Sequence, residues 1–343
     1  MITSALRKLV EGENLSQDEA MAVMDRIMDG ETTHAQIGAL LATLRAKRET
    51  VDELTGFARA MRRHVIPVTP HRQPLLDTCG TGGDKCDTFN ISTAAAFVIA
   101  AAGLAVAKHG NRAVSSKCGS ADVLGALGVN LDLNAQQAAD CIDQVGVGFL
   151  FAPHHHPAMK NVAVPRRELA IRTVFNVLGP LTNPAGATRQ LIGVFAPDLC
   201  PLMAETLGRL GCEGAIVVHG MDGLDEISTF CPTRISILNH GKVTTQILTP
   251  SDFCCPTSTI DQLAGGASPE ESADILRAIL QGERGPRQDI VCANAAAGLI
   301  LGGLAQDWQD GVSQARNMLQ SGKANTVLER LINFTRNIND QTH

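Results

Sequence analysis

The sequence predicts an α/β protein with a small helical domain first and a larger domain built on a mainly parallel sheet after it. Apolar residues repeat at helical spacing up to three prolines between Pro67 and Pro74, and short apolar runs then alternate with helical stretches. At 343 residues the chain exceeds the size that one core usually serves. We expect a helical domain at residues 1–66, with part of 157–185 packing on it, and an α/β domain at residues 74–343.

Helix starts in the first domain are indicated by capping boxes, in which a hydroxyl residue and a Glu three positions later satisfy free N–H groups. Ser16 with Glu19 and Thr50 with Glu53 fit this pattern. Apolar residues follow helical spacing after each box, and again from Ile37 to Leu44. Three or four helices are predicted here.

The second domain is predicted from alternating apolar runs and helical stretches, an order that favours parallel strands. Five runs are predicted as strands: Leu75–Cys79, Leu104–Lys108, Val147–Phe151, Leu191–Ala196 and Ala215–His219. Arg234–Leu238 and Val243–Leu248 flank Asn239–Lys242, which predicts a β-hairpin added to the sheet. From Ser268 onward we predict helices, with Pro269 at a first helical position.

Composition and charge argue against several functional classes. Hydrophobic residues make up 44% and charged residues 19% of the chain, as in ordinary globular proteins. The net charge of −6 argues against a nucleic-acid binder. The ten cysteines contain no C-x-x-C pair, which indicates neither a disulfide framework nor a zinc site. The apolar window Thr93–Ala107 is too short for a membrane span, and no signal peptide is evident, so we expect a cytoplasmic protein.

A glycine cluster follows the first predicted strand. The chain reads DTCGTGGD from Asp77 to Asp84, and TFNIST from Thr88 to Thr93 opens an alanine-rich helix. Glycines let backbone N–H groups approach an anion, and a helix N-terminus adds partial positive charge, so the pair suits a phosphate. For an isolated cluster, a tight turn between strand and helix is an equally good interpretation.

A second polar cluster follows the next strand, where Lys108 to Ser120 reads KHGNRAVSSKCGS. Its three cations, histidine, amide and three hydroxyls are groups that bind phosphate. A solvated loop is the alternative, but two such loops at successive strand ends converge on the crevice where open α/β sheets bind ligands. The adjacent carboxylates of Asp222–Glu226 are little better than a surface loop alone, yet beside two anion loops they predict a Mg²⁺ site for a pyrophosphate.

Taken together, these motifs resemble the anthranilate phosphoribosyltransferase family in GTGGD, NIST, KHGNRAVSSKCGSAD and the DGLDE pentad. The resemblance continues through FAP at Phe151, HPAM at His156, RREL at Arg166, RTVFN at Arg172 and LGPL at Leu178. In order and spacing it covers Leu15 to about Leu319. Departures from the family pattern occur at Lys85, Cys86, Gly125 and Ala170.

The resemblance implies a nucleoside-phosphorylase-type fold, a homodimer formed through the helical domain, Mg²⁺ as cofactor and an active site between the domains. The residues implied for phosphoribosyl pyrophosphate are Gly80, Gly83, Asp84, Thr88, Asn90, Ile91, Ser92, Thr93, Lys108, His109, Gly110, Asn111, Arg112, Ala113, Val114, Ser115, Ser116 and Ser120. The residues implied for the metal are Ser92, Asp225 and Glu226, and those for anthranilate are Gly80, Asn111 and Arg166.

His154 is expected to form a wall of the anthranilate channel, because the consecutive histidines His154–His156 cannot easily turn onto one metal ion. No residue is expected to act as an obligatory acid or base. Two alternatives are a pyrimidine nucleoside phosphorylase and a non-catalytic homologue that binds nucleic acid. GTGGD, NIST and DGLDE argue against the first, and Asn111 with Arg166 against the second. Association with a glutamine amidotransferase subunit of anthranilate synthase stays open.

Overall fold

The computed structural model describes residues 2–84, 86–113, 117–256 and 259–340. The helices within these ranges are α1 (Ile2–Val10), α2 (Gln17–Met28), α3 (His34–Lys47), α4 (Val51–Arg63), α5 (Ile91–Ala101), α6 (Ser120–Ala126), α7 (Ala135–Val145), α8 (Ala152–His155), α9 (Lys160–Leu169), α10 (Phe175–Leu178), α11 (Leu199–Arg209), α12 (Pro269–Leu280), α13 (Pro286–Leu301), α14 (Trp308–Gln320) and α15 (Lys323–Asp340). The strands are β1 (Leu75–Asp77), β2 (Ala105–Gly110), β3 (Val147–Phe151), β4 (Arg189–Gly193), β5 (Gly214–Gly220), β6 (Thr233–Asn239) and β7 (Lys242–Leu248).

The first four helices form a bundle, as the periodicity predicts. The capping boxes at Ser16 and Thr50 are confirmed, and a third, at Thr33, was not predicted because its partner is a glutamine. Helices α2 and α4 pack so closely that a Cβ on Gly56 would lie 2.3 Å from the Gln17 carbonyl oxygen. Helix α9 packs on α2 and α3, and its Val162 is buried among their apolar side chains. The domain boundaries at residues 66 and 74 stay predictions.

The predicted sheet is confirmed. Seven strands lie in the order β3-β2-β1-β4-β5-β6-β7, with the first five parallel and the last two joined as an antiparallel hairpin. The strand order reverses between β1 and β4, because the chain moves to one side through β2 and β3 and to the other through β5. Open α/β sheets bind ligands at the carboxyl ends of the strands beside such a reversal. No helix in the described ranges is both long and apolar enough for a membrane span.

Candidate active site

A cleft of about 390 Å³ opens at the carboxyl ends of the strands, next to the reversal between β1 and β4. That volume is typical of small-molecule sites. Every predicted substrate or metal residue that the structure describes lines this cleft, except His154. Val114, Ser115 and Ser116 lie outside the described residues, as does Lys85.

The glycine-rich loop after β1 forms one wall of the cleft. Gly82 and Gly83 adopt positive φ angles of 65° and 79°, which glycine reaches without strain. The Thr81 N–H donates to the Gly193 carbonyl at 2.8 Å, which ties the loop to the end of β4. A Cβ on Gly80 would lie 3.0 Å from the same carbonyl oxygen. The loop backbone is therefore pinned against the sheet.

The N-terminus of α5 faces the same space. Asn90 precedes the helix without capping it, and its Nδ2 donates to the Cys118 carbonyl oxygen at 3.2 Å. The Ser92 N–H donates to Glu226 Oε1 at 3.1 Å. Thr93 is buried, and its Oγ1 has no hydrogen-bond partner among the described residues. The partial positive charge of a helix N-terminus and a buried hydroxyl suit an anion.

Lys108, at the end of β2, brings a buried positive charge to the floor of the cleft. Its Nζ donates to the Thr78 hydroxyl at 3.1 Å and lies 3.5 Å from Ser92 Oγ. The next residue, His109, is neutral, since burial lowers its pKa to about 3. His109 Nε2 lies 3.2 Å from His156 Nε2, where one ring donates and the other accepts. The charge that can meet a phosphate here is therefore that of Lys108.

Two residues that the sequence analysis missed hold this floor in place. Asp77 is fully buried and accepts from the His109 N–H at 3.1 Å and from Asn183 Nδ2 at 2.7 Å. Burial raises the pKa of Asp77 to about 6, although the charge of Lys108 opposes the rise. Asp77, Cys79 and His109 are close enough to suggest a metal group. Because both Asp77 oxygens already accept hydrogen bonds, we interpret this group as structural.

Part of the polar loop after β2 lies at the rim of the cleft. Gly110 must be glycine, because a Cβ there would lie 2.3 Å from Ser120 Oγ. The Ser120 hydroxyl donates to the Asn111 carbonyl at 3.3 Å, at the start of α6. The Arg112 side chain is 63% exposed and pairs with Asp122 at 3.1 Å. Of the two described cations in this loop that line the cleft, Lys108 is thus buried and Arg112 is not.

The carboxylates of Asp225 and Glu226 enter the cleft from the loop between β5 and β6. Burial, followed by the charge of nearby Asp84, raises the pKa of Asp225 to about 7. Burial and the charge of Asp225 raise the pKa of Glu226 well above its ordinary value. Two adjacent carboxyl groups whose ionisation is opposed in this way are donors that a hard divalent cation would stabilise. These residues fit Mg²⁺.

A further wall of the cleft comes from α9, α10 and the turn after α10. Arg166 lies with its guanidinium carbon 5.4 Å from the centre of the Phe175 ring, and burial lowers its pKa. Asn176, Gly179 and Pro180 line the cleft beside it. Sequence reasoning placed Arg166 here but did not single out Phe175 or Pro180, since an apolar or proline residue in a loop gives no chemical signal.

His154 is the described candidate that the structure does not bring to the cleft. Its side chain is 37% exposed, and Nε2 lies 3.5 Å from Asp132 Oδ1. The edge of its ring meets Phe151, with centroids 5.1 Å apart. Its role towards anthranilate stays a prediction. The neighbouring His155 and His156 are buried, in agreement with a structural role.

A larger depression, of about 640 Å³, lies at the opposite edge of the sheet. Arg189 and Gly214, the first residues of β4 and β5, line it together with Trp308. It contains neither a glycine-rich loop nor a described helix N-terminus free to meet an anion. Chemistry therefore belongs to the smaller cleft at the carboxyl edge.

Comparisons with known proteins identify the family of the chain. The helical bundle domain model of a glycosyl transferase family matches residues 3–65, and the a/b domain model of that family matches residues 72–325. An anthranilate phosphoribosyltransferase from Moorella thermoacetica is 52% identical over 332 residues, which are 97% of this chain and 98% of the relative.

Solved structures are similar over the same length. The anthranilate phosphoribosyltransferase of Thermus thermophilus superposes with a TM-score of 0.92 at 45% identity, covering 97% of this chain and 99% of that one. The Saccharomyces cerevisiae enzyme in complex with PRPP and Mg has a TM-score of 0.88 at 28% identity, and its complex with 4-fluoroanthranilate has 0.87 at 28%; each covers 98% of both chains. The chain belongs to this glycosyl transferase family and, within it, to the anthranilate phosphoribosyltransferases.

Proposed function

We propose that this chain transfers the phosphoribosyl group of phosphoribosyl pyrophosphate to the amine of anthranilate, giving N-(5-phosphoribosyl)anthranilate and pyrophosphate in tryptophan biosynthesis. One observation carries the proposal: anion-binding loops, a carboxylate pair and Arg166 line a single cleft. Family membership supports it, as do the yeast structures with PRPP and Mg and with 4-fluoroanthranilate.

The anion-binding side is proposed to hold phosphoribosyl pyrophosphate. The backbone from Gly80 to Asp84 and the first turn of α5 present N–H groups, and Thr93 adds a buried hydroxyl without a described partner. Lys108 places a fixed positive charge beside Ser92. These groups would fix the phosphates and the ribose before reaction, so that little reorganisation is needed in the transition state.

Asp225, Glu226 and Ser92 are proposed to hold Mg²⁺, directly or through water. Burial raises the pKa values of both carboxyl groups, although the charge of Lys108 opposes the rise at Glu226, so a bound cation would stabilise their ionised forms. When bound, Mg²⁺ neutralises charge on the departing pyrophosphate. The hydrogen bond from the Ser92 N–H to Glu226 keeps that carboxylate turned towards the start of α5.

The wall formed by α9 and α10 is proposed to hold anthranilate. Arg166 can form two parallel hydrogen bonds to a carboxylate, which lysine cannot do. Asn111 and the Gly80 backbone line the space between Arg166 and the ribose side, where the amine must lie. His154 would reach the acceptor only if its ring turned away from Asp132.

The reaction on this wall needs no obligatory acid or base, because an arylamine is neutral near pH 7 and attacks through its own lone pair. The amine nitrogen forms a bond to the ribose carbon while the bond from that carbon to pyrophosphate breaks on the opposite face. Lys108 stabilises the charge that collects on the pyrophosphate oxygens. The proton lost by the nitrogen passes to solvent or to the released pyrophosphate.

Anthranilate fluorescence tests the proposal directly. The signal should fall with time only when the protein, phosphoribosyl pyrophosphate and Mg²⁺ are all present, and EDTA should stop the loss. Persistent fluorescence in the complete mixture would contradict the proposed activity. Loss of fluorescence without Mg²⁺ would contradict the metal site alone.

The assembly and location of the chain are part of the same proposal. We propose a cytoplasmic homodimer that pairs through the helical domain, with residues 1–66 and 74–343 as its two domains and an amidotransferase subunit as a possible partner. Val10, at the end of α1, supports the pairing surface, since it is apolar and 68% exposed. Light scattering at micromolar concentration should give the mass of two chains, and a monomer would contradict the pairing.

A further inference from the structure

Asn294 is a polar residue in an otherwise apolar stretch of α13. It is fully buried, and the helix around it reads CANAAAG from Cys292 to Gly298. A buried amide costs free energy unless each of its polar atoms is hydrogen-bonded, and asparagine is a poor helix former. The contacts of this side chain therefore need an explanation beyond packing.

Those contacts go to one residue of the loop between β5 and β6. Asn294 Oδ1 accepts from the Ile227 N–H at 2.9 Å, and Nδ2 donates to the Ile227 carbonyl at 3.1 Å. A third bond, from Nδ2 to the Ile290 carbonyl at 2.9 Å, fixes the amide on its own helix. The side chain thus bonds both backbone groups of Ile227, as a neighbouring strand would. Ile227 directly follows Glu226.

The other end of the same segment is held by β4. A Cβ on Gly193 would lie 1.5 Å from the Asp225 carbonyl oxygen, so the backbone of Asp225 rests directly on the end of that strand. Three consecutive residues are therefore held from both sides, at Asp225 by Gly193 and at Ile227 by Asn294. Glu226 lies between these two points, and its Oε1 accepts from the Ser92 N–H at 3.1 Å.

We propose that Asn294 is a positioning residue for the metal-binding carboxylates, acting through the backbone of Ile227 rather than by touching the metal or either substrate. The inference rests on the proposed function, because it takes Asp225 and Glu226 as the Mg²⁺ ligands. Two neighbouring carboxylates repel each other, and a loop held at one end only would let them separate. The amide of Asn294 prevents that movement.

Removal of the Asn294 amide should weaken metal binding more than it changes any other property of the cleft. Groups that orient metal ligands typically contribute 10- to 100-fold in metal affinity. We expect Asn294→Ala to raise the dissociation constant for the metal by roughly that factor. The KM for anthranilate should change less than about twofold, since Arg166 belongs to α9 and not to the loop that Asn294 holds. Asn294→Ser keeps a hydroxyl that can donate to the Ile290 carbonyl but cannot replace both bonds to Ile227, so it should weaken metal binding as Asn294→Ala does.

The test measures binding of Mn²⁺ in the presence of pyrophosphate, from the electron paramagnetic resonance signal of free Mn²⁺, so that no turnover is needed. Thr335→Val is the matched control. Thr335 lies in α15 and is also fully buried, and its Oγ1 accepts from the Asn130 N–H at 3.1 Å. This control should lose thermal stability yet bind Mn²⁺ as the wild type does. Asn294→Ala should bind Mn²⁺ much more weakly at a temperature where it is folded.

Two failures are distinguishable. If Asp225→Asn/Glu226→Gln binds Mn²⁺ as tightly as the wild type, the metal site is elsewhere. That result overturns the proposed metal ligands and, with them, the positioning role of Asn294. If that double variant loses Mn²⁺ binding but Asn294→Ala binds Mn²⁺ within about twofold of the wild type, only the positioning role of Asn294 is overturned. Should Asn294→Ala fail to fold, Asn294→Ser decides in the same way, and Mn²⁺ binding within about twofold of the wild type in that variant overturns the inference.

Discussion

Arg166→Ala is the substitution that probes the acceptor side of the cleft most specifically. Arg166 lines the cleft, whereas the adjacent Arg167 is exposed and absent from the lining. If Arg166 binds the anthranilate carboxylate, its removal takes away a charge-assisted pair of hydrogen bonds. Binding of phosphoribosyl pyrophosphate should scarcely change, because its proposed contacts come from the loops after β1 and β2.

The expected size of the effect follows from the chemistry of that contact. A hydrogen bond between charged groups contributes about 1.5–3 kcal/mol, which corresponds to roughly 10- to 150-fold in affinity. Arg166→Lys keeps the charge but loses the parallel pair, so an intermediate loss is expected. Arg166→Ala also loses the contact with the Phe175 ring, whose centre lies 5.4 Å from the guanidinium carbon, and this loss should lower thermal stability slightly.

The assay is the KM for anthranilate, measured from its fluorescence at saturating phosphoribosyl pyrophosphate and Mg²⁺. Arg167→Ala is the matched control and should leave that KM unchanged. An unaltered KM in Arg166→Ala together with a raised KM in Arg167→Ala would mean that the wrong arginine is assigned. If neither variant differs from the wild type, the acceptor is not held by this wall.

Three further predictions concern the carboxylates and one strained residue. Asp225→Ala/Glu226→Gln should fold normally yet lose turnover by orders of magnitude, since charge neutralisation by a metal amounts to several kcal/mol; near-normal rates at ordinary Mg²⁺ would refute this. Folding raises the pKa of Asp225 from 3.8 to about 7, so ionisation of this carboxyl group opposes folding. The thermal stability of the metal-free protein should therefore fall as the pH rises from 3.8 to about 7, and Asp225→Asn should reduce that fall. Ala170→Gly should stabilise the fold by about 1 kcal/mol in urea unfolding, because Ala170 has a φ of 48°; a destabilised variant would exclude that strain.

The strands and most helices could be predicted because they depend on local periodicity. Buried parallel strands such as β3 form continuous apolar runs. Ser16 and Thr50 indicate the starts of α2 and α4, because each forms a capping box with a glutamate three residues later. Helix α1 was less visible, since it buries only Ile2, Ala5 and Leu9. The placement of both anion loops in one cleft followed from a general property of parallel sheets, that successive strands end at one edge.

The supporting residues could not be predicted, because their partners are distant in sequence. Asp77 meets Asn183, and Asn294 meets Ile227, only after the sheet and helices have packed. A lone buried asparagine in an alanine-rich helix gives no indication of its partner. His154 illustrates the opposite case, in which a chemically suggestive side chain turns towards Asp132 rather than the cleft.

The central claim is that one cleft joins anthranilate to phosphoribosyl pyrophosphate, and the most direct measurement follows both products in the same reaction. Pyrophosphate release and N-(5-phosphoribosyl)anthranilate formation, the latter identified by mass spectrometry, should rise together in equal amounts and stop when anthranilate is exhausted. Pyrophosphate released without the anthranilate product, or phosphate-dependent cleavage of a pyrimidine nucleoside with anthranilate left intact, would contradict the claim.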